Sequence, residues 1–209
     1  MYFPSLILLA TTALAAPLIQ RDAASILQAI TNIENHITTL NNTLNTFNGN
    51  LLTTIPTVLK IEEQTAELGD AISAATDAAN LSPALSETDS GTVATAVVTL
   101  VPKIQSLLSN IIAHKNTFDR AVLGIGSVSP QVEQDLQTQS KLSDEFSGAL
   151  IAKLAPDYAA LAPLITNQIS AAFQNAVKIF ATSGGLFHLP AVQGLGEFEE
   201  LLKNFLHLR

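Results

Sequence analysis

Cysteine is absent from this 209-residue chain, and so is tryptophan. Without cysteine there is no disulfide, no thiolate nucleophile and no Cys-ligated metal. Stability must then come from the core, and a chain of this length can bury a sizeable one. Aromatics make up only 5 % of the residues while apolar residues make up 47 %. The apolar mass is therefore Ala, Leu, Ile and Val. Charge is also sparse, at 13 %, and 18 acids outnumber 10 bases for a net charge of −8. No basic patch is available to attract a phosphate backbone, which argues against a nucleic-acid partner. After the N-terminus no segment reaches membrane-spanning length free of charges, so no transmembrane segment is expected.

One short apolar run does stand at the extreme N-terminus. Residues 6–15 read Leu-Ile-Leu-Leu-Ala-Thr-Thr-Ala-Leu-Ala. The run is too short to cross a bilayer and ends in Ala13-Leu14-Ala15, a small-x-small pattern that signal peptidase accepts. Residues 1–15 are therefore expected to be a signal peptide, and 16–21 a short pro-segment. The product is expected outside the cell or in a cell wall. Asn41-Asn42-Thr43 and Asn80-Leu81-Ser82 are acceptor sequons, so Asn41 and Asn80 are glycosylation candidates.

Helical periodicity dominates the rest of the chain. Ile26, Ile30, Ile33, Ile37, Leu40, Leu44 and Phe47 alternate four and three apart, an unbroken heptad seam. Asp22 is placed to cap this helix and Gly49 to end it. A second stripe runs through Leu51, Ile55, Val58, Leu59, Ile61, Leu68, Ile72, Ala75 and Ala79. A third starts at Ser86 or Asp89 and continues from Val93 to Val122, with a kink or break expected at Pro102 and a stop at Gly124 and Gly126. The fourth follows Ser129-Pro130 through Val132, Leu136, Leu142, Phe146, Leu150 and Leu154. The fifth begins near Tyr158 and includes Leu161, Ile165, Ile169, Phe173, Ala176 and Phe180. Gly184-Gly185 closes it. The fold expected is all-α, a five-helix up-and-down bundle over 22–183. The tail, 184–209, adds a short amphipathic helix carrying Leu195, Phe198, Leu201, Leu202, Phe205 and Leu208.

No catalytic constellation emerges. The four histidines, His36, His114, His188 and His207, form no metal-ligand pair, and no Gly-x-Ser-x-Gly elbow or dinucleotide fingerprint occurs. Glu62-Glu63 and Asp144-Glu145 are adjacent carboxylates, which point about 100° apart on a helix and so make no acid–base pair. They are expected to be solvated. The expectation is a non-enzyme without cofactor or metal. Three polar residues lie on apolar stripes: His114, Gln139 and Tyr158. Either they pair with one another or with water, or they hold the polar head of a ligand in an otherwise apolar pocket, which suits a lipid. Phe118, Phe146 and Phe173 complete the candidate ligand-binding set.

Several stretches resemble the fungal hydrophobic-surface-binding and cell-wall galactomannoprotein family. They are the heptad helix ending in Phe47-Asn48-Gly49; Ser86-Glu87-Thr88-Asp89, with Lys115 and Phe118 beyond; and Lys141-Leu142-Ser143-Asp144-Glu145-Phe146-Ser147, followed by Lys153, Pro156 and the apolar run to Phe180. The resemblance covers about residues 22–181. It implies a secreted or wall-bound helical bundle. Some members bind fatty acids in a central cavity; others adsorb to hydrophobic surfaces and recruit lytic enzymes. Expected partners are thus a fatty acid or other hydrophobic ligand, with hydrophobic surfaces or cell-wall polysaccharide as further ones. The tail lies outside the resemblance, so replacing Phe198 and Phe205 by Ser is expected to spare lipid binding.

Overall fold

Asp22 caps the first helix, its carboxylate accepting from the Ser25 backbone N–H at 3.2 Å. Such a cap is worth about 1 kcal/mol. Helix α1 spans Ala23–Thr46, and all seven seam residues from Ile26 to Phe47 are buried. Gly49 takes φ +74°, a conformation that only glycine adopts without strain, just past the helix end. The structure, a computed structural model, describes residues 22–50, 53–182 and 184–207, without the side chains of Phe205 and His207. The expected signal peptide and pro-segment lie outside the described residues, as do Leu51 and Leu208.

Helix α2 spans Thr54–Leu81 and α3 spans Glu87–Ala113. Ser86 caps α3: its Oγ accepts from the Asp89 backbone N–H at 3.1 Å and donates to the Asp89 carboxylate at 2.7 Å. The helix runs unbroken through Pro102, where the sequence suggested a kink or a break. Proline removes the N–H that the Val98 carbonyl would accept. Pro102 and Val98 are both exposed, so that carbonyl can turn to water. Helix α3 stops at Ala113, well before the glycines expected to end it. Its C-cap, His114, leads into a single turn, α4, at Lys115–Phe118. Helix α5 (Ser129–Ile151) starts with Pro130 in its first turn, and α6 (Pro156–Phe180) starts on a proline. Leu161, expected in the α6 core stripe, is 61 % exposed. Helix α7 spans Leu195–His207. Strands β1 (Gly126–Ser127) and β2 (Phe187–His188) form a small parallel pair that periodicity gave no sign of.

The all-α expectation holds, with seven helices among the described residues, five of them long. Their arrangement differs from a simple up-and-down order. The main seams are α1–α2, α2–α5, α5–α6, α6–α3 and α3–α1, a closed ring. Consecutive α2 and α3 share no main seam; each packs on α1, with the centre of the ring between them. By length and composition α3 is apolar enough to cross a membrane. In the ring, its Val93, Leu100, Val101, Leu107 and Leu108 are buried.

The tail is packed onto this ring. Asp119, just past α4, gathers four donors: Lys115 Nζ at 2.6 Å, Ser129 Oγ at 2.7 Å, the Gly184 N–H at 2.9 Å and Ser127 Oγ at 3.1 Å. Gly184 and Gly185 allow this approach. A Cβ at Gly184 would lie 2.7 Å from the Asp119 carboxylate, and Gly185 has φ +96°. Beyond them, Phe198 and Leu202 of α7 are 1 % exposed.

Candidate ligand-binding lumen

The ring encloses a lumen. Its cavity volume is about 110 Å³. Every long helix supplies wall residues. Helix α1 gives Ile33, Ile37, Leu40 and Leu44; α2 gives Val58, Ile61, Leu68 and Ile72; α3 gives Val97, Leu100, Ile104 and Ile111. From α5 come Leu136, Phe146 and Leu150, from α6 Ile169 and Phe173, and from α7 Phe198. The apolar stripes that predicted the helices therefore face inward onto a shared space as well as onto one another.

Of the six candidate ligand residues, the structure brings Phe118, Gln139, Phe146 and Phe173 together on the wall. It does not bring His114 or Tyr158 there. His114 sits at the end of α3, its Nδ1 2.9 Å from the Asn110 carbonyl and its ring stacked 6.0 Å from Phe47. Tyr158 lies against Gly91 of α3, where a Cβ would stand 2.7 Å from its hydroxyl. Both are packing residues at helix ends, which periodicity cannot distinguish from lumen positions. The two sequons also differ in setting. Asn41 accepts from the Asn110 side-chain amide at 2.9 Å and its sequon residue Thr43 is buried, whereas Asn80 is exposed near the end of α2.

The polar part of the wall is the portion sequence reasoning missed. Glu62 on α2 and Asp135 on α5 line the lumen and hydrogen-bond with one another. Between them, the Gln131 amide Nε2 donates to Glu62 at 3.2 Å and to Asp135 at 3.0 Å. Loss of solvation raises the Glu62 carboxyl above its ordinary range, against the lowering effect of its bonds with Asp135 and Gln131. Desolvation raises Asp135 well above its usual value, reinforced by the nearby Glu62 charge and the bond to it. Glu62 was expected to be solvated; it is 9 % exposed. Its partner lies on a helix distant in the chain, so no local motif announces the pair. One signal was available: Asp135, Gln131 and Gln139 recur every four residues along α5, beside its apolar stripe.

Gln139 continues that polar line. Its Nε2 donates to the Thr65 carbonyl at 2.9 Å, while its buried Oε1 has no partner. Phe198 also belongs to the wall, although replacing Phe198 and Phe205 was expected to spare lipid binding. Its ring comes from a helix joined to the rest through the Asp119 cluster and the β1–β2 pair. Among the described residues no group of three or more His, Asp or Glu side chains is arranged to hold a metal ion.

A sequence model of the hydrophobic surface binding protein A family matches residues 23–152. This chain belongs to that family. It is 28 % identical over 172 residues to cell wall mannoprotein 1 of Aspergillus flavus, covering 82 % of this chain and 59 % of that protein. The chain thus spans about three-fifths of that relative. Among solved structures, AFMP4P in complex with palmitic acid is 32 % identical, with a TM-score of 0.69 over 76 % of this chain and 99 % of that one. Ligand-binding domain 1 of the Penicillium marneffei MP1 protein, complexed with arachidonic acids, shares the fold at 18 % identity and a TM-score of 0.67. Its coverage is 77 % of this chain and 99 % of that domain. Both solved structures are matched almost completely by about three-quarters of this chain.

Proposed function

We propose that this member of the hydrophobic surface binding protein A family is a non-catalytic, secreted or wall-associated protein that holds a long-chain lipid in its central lumen. The observation that carries the reading is the lumen itself, walled by all five long helices and lined mainly by Ile, Leu, Val and Phe. Burying a chain there needs no proton chemistry and gains roughly 0.8 kcal/mol per methylene. The palmitic acid complex of AFMP4P, at 32 % identity, supports the same use of the fold. In this reading the five long helices are the functional bundle and residues 184–209 are its cap. Phe118, Phe146, Phe173 and Phe198 contact the alkyl chain, and Gln139 lies beside its polar end. Native mass spectrometry of the mature protein tests it. A mass increment of one or two palmitates that disappears on delipidation and returns with added palmitate is expected. A mass unchanged by palmitate or any other long-chain lipid would overturn the reading.

A second reading is adsorption to hydrophobic surfaces and recruitment of other secreted proteins there. It is favoured by the exposure of Leu161 and Leu164 on adjacent turns of α6, at 61 % and 64 %. Binding to apolar beads that palmitate does not compete would favour adsorption over the lumen.

A further inference from the structure

We propose that the outer face of the α3–α6 seam docks on a lipid surface of no net charge, and that the lumen is loaded from that surface across the seam. This inference rests on the lumen being the lipid site and names where its lipid enters.

Helices α3 and α6 run parallel. At their starts the Ala155 backbone N–H donates to Ser90 Oγ at 2.9 Å. Just past the end of α3, Lys115 Nζ lies 5.4 Å from the centre of the Phe180 ring at the end of α6. Both pairs have the same separation along the chain, so Val98 stands level with Pro163 and Leu164. Val98 is 53 % exposed, Leu161 61 % and Leu164 64 %. One exposed leucine is ordinary, but a cluster of large apolar side chains on one face marks an interaction surface.

The chemistry of the face says what covers it. No charged residue occurs from Ser90 to Pro102 or from Tyr158 to Val177. The hydroxyls of the exposed Thr92, Thr95 and Thr99 donate to the Thr88, Gly91 and Thr95 carbonyls of their own helix, at 3.0, 2.8 and 2.9 Å. Threonines bonded in this way can face an apolar medium without stranding a donor. Helix α3 is apolar enough to cross a membrane, yet only 22 % of its most apolar stretch is buried. A protein partner is held by a polar rim as well as an apolar centre; a fluid lipid surface needs only apolar side chains that can enter it. Glu87, Asp89 and Asp157 at the helix starts, with the net charge of −8, oppose anionic head groups. Docking is shallow, at the boundary of head groups and acyl chains, where the Val98 carbonyl freed by Pro102 keeps its water. The face is also the outer side of the lumen wall. Val97 and Ile104 line the lumen from α3 and Ile169 from α6, and the first two are only half-buried. An alkyl chain leaving the surface here reaches the lumen by passing between two helices.

The test is flotation of the delipidated protein with phosphatidylcholine vesicles, together with the rate at which palmitate moves from those vesicles to the protein. The unmodified protein is expected to float at low and high salt alike, because no charge pair holds it. The triple variant Val98→Gln/Leu161→Gln/Leu164→Gln should float at least tenfold less and take palmitate from vesicles at least tenfold more slowly, while binding palmitate from solution as before. Leu81→Gln, at a site 63 % exposed on α2, should change neither. If the triple variant does not fold, Leu164→Gln alone carries the comparison. An unmodified protein that does not float, or a folded variant that floats and loads as fast, would overturn the inference and leave the lumen reading standing on palmitate binding in solution. Lost flotation with unchanged loading would overturn the route across the seam. Flotation without any palmitate binding would remove the lumen reading and the loading route with it.

Discussion

The side-chain carbonyl of Gln131 accepts a 2.9 Å hydrogen bond from the Val192 backbone N–H, while its amide donates to Glu62 and Asp135. One amide thus joins the polar end of the lumen to the approach of the C-terminal helix. It is 3 % exposed. Replacing Gln131 by Leu removes a donor from two buried carboxyls and the acceptor of one backbone N–H at once. The expected loss of stability is about 2–4 kcal/mol, read by chemical denaturation, with faster hydrogen exchange across 192–207.

Stability should peak in mildly acidic solution. Burial pushes Asp119 up, but its bonds to Lys115, Ser129 and the Gly184 N–H outweigh this and hold its carboxyl below the ordinary value. The folded state therefore binds fewer protons there than the unfolded state does. That contribution is present above about pH 4, the unfolded value, and is lost as pH falls toward the folded one. Glu62 and Asp135 act in the opposite sense. Their raised values mean the folded state holds extra protons, so stability falls as pH rises above about 4 toward those values. Thermal melts across pH should show both limbs. Asp119→Asn should flatten the acid limb, and Glu62→Gln/Asp135→Asn the neutral one.

Phe198→Ser should impair lipid retention, contrary to the expectation drawn from the sequence. The ring is 1 % exposed and forms part of the lumen wall. Truncating a buried Phe costs about 3–5 kcal/mol in a core, which is enough to undock a terminal helix of 13 residues. The expected readouts are loss of exchange protection in α7 and faster dissociation of bound palmitate. Unchanged dissociation with α7 undocked would show that the tail does not close the lumen.

Gly91 and Tyr158 should behave as a coupled pair. Alanine at Gly91 would gain about 1 kcal/mol of helix propensity, but its Cβ would meet the Tyr158 hydroxyl at 2.7 Å. In the native background Gly91→Ala is therefore expected to destabilise or give no gain. After Tyr158→Ala, the same change should stabilise. A double-mutant cycle by urea denaturation measures the coupling. Additive effects would remove Tyr158 from the α3–α6 contact.

The sequence made one class of information legible and hid another. Wherever a residue's role followed from its own helix, spacing revealed it: the seven-residue seam of α1, the Asp22 and Ser86 caps, the proline starts of α5 and α6. Wherever the role depended on another helix, spacing was silent. Glu62 read as a solvated acid because its partner lies on α5. Tyr158 and His114 read as lumen candidates because helix-end packing has the same period as a lumen face. Gly124 and Gly126 read as a helix stop, but α3 had already ended at Ala113 and the intervening residues build the Asp119 cluster and β1. The ring order itself leaves no trace in any one stripe.

That ring order also bears on how the chain reaches its native state. Helices α1 and α2, and α5 and α6, are joined by short connections and can pair early, because closing a short loop costs little entropy. Helix α3 must bridge from one pair to the other, touching α1 on one side and α6 on the other. Those contacts, like the α2–α5 seam, join residues far apart in the chain, and separation of this kind slows folding. A lipid that recognises only the finished enclosure contributes nothing to the early pairings. Under the lumen reading, a bound lipid would act on the closed state alone, by slowing its reopening.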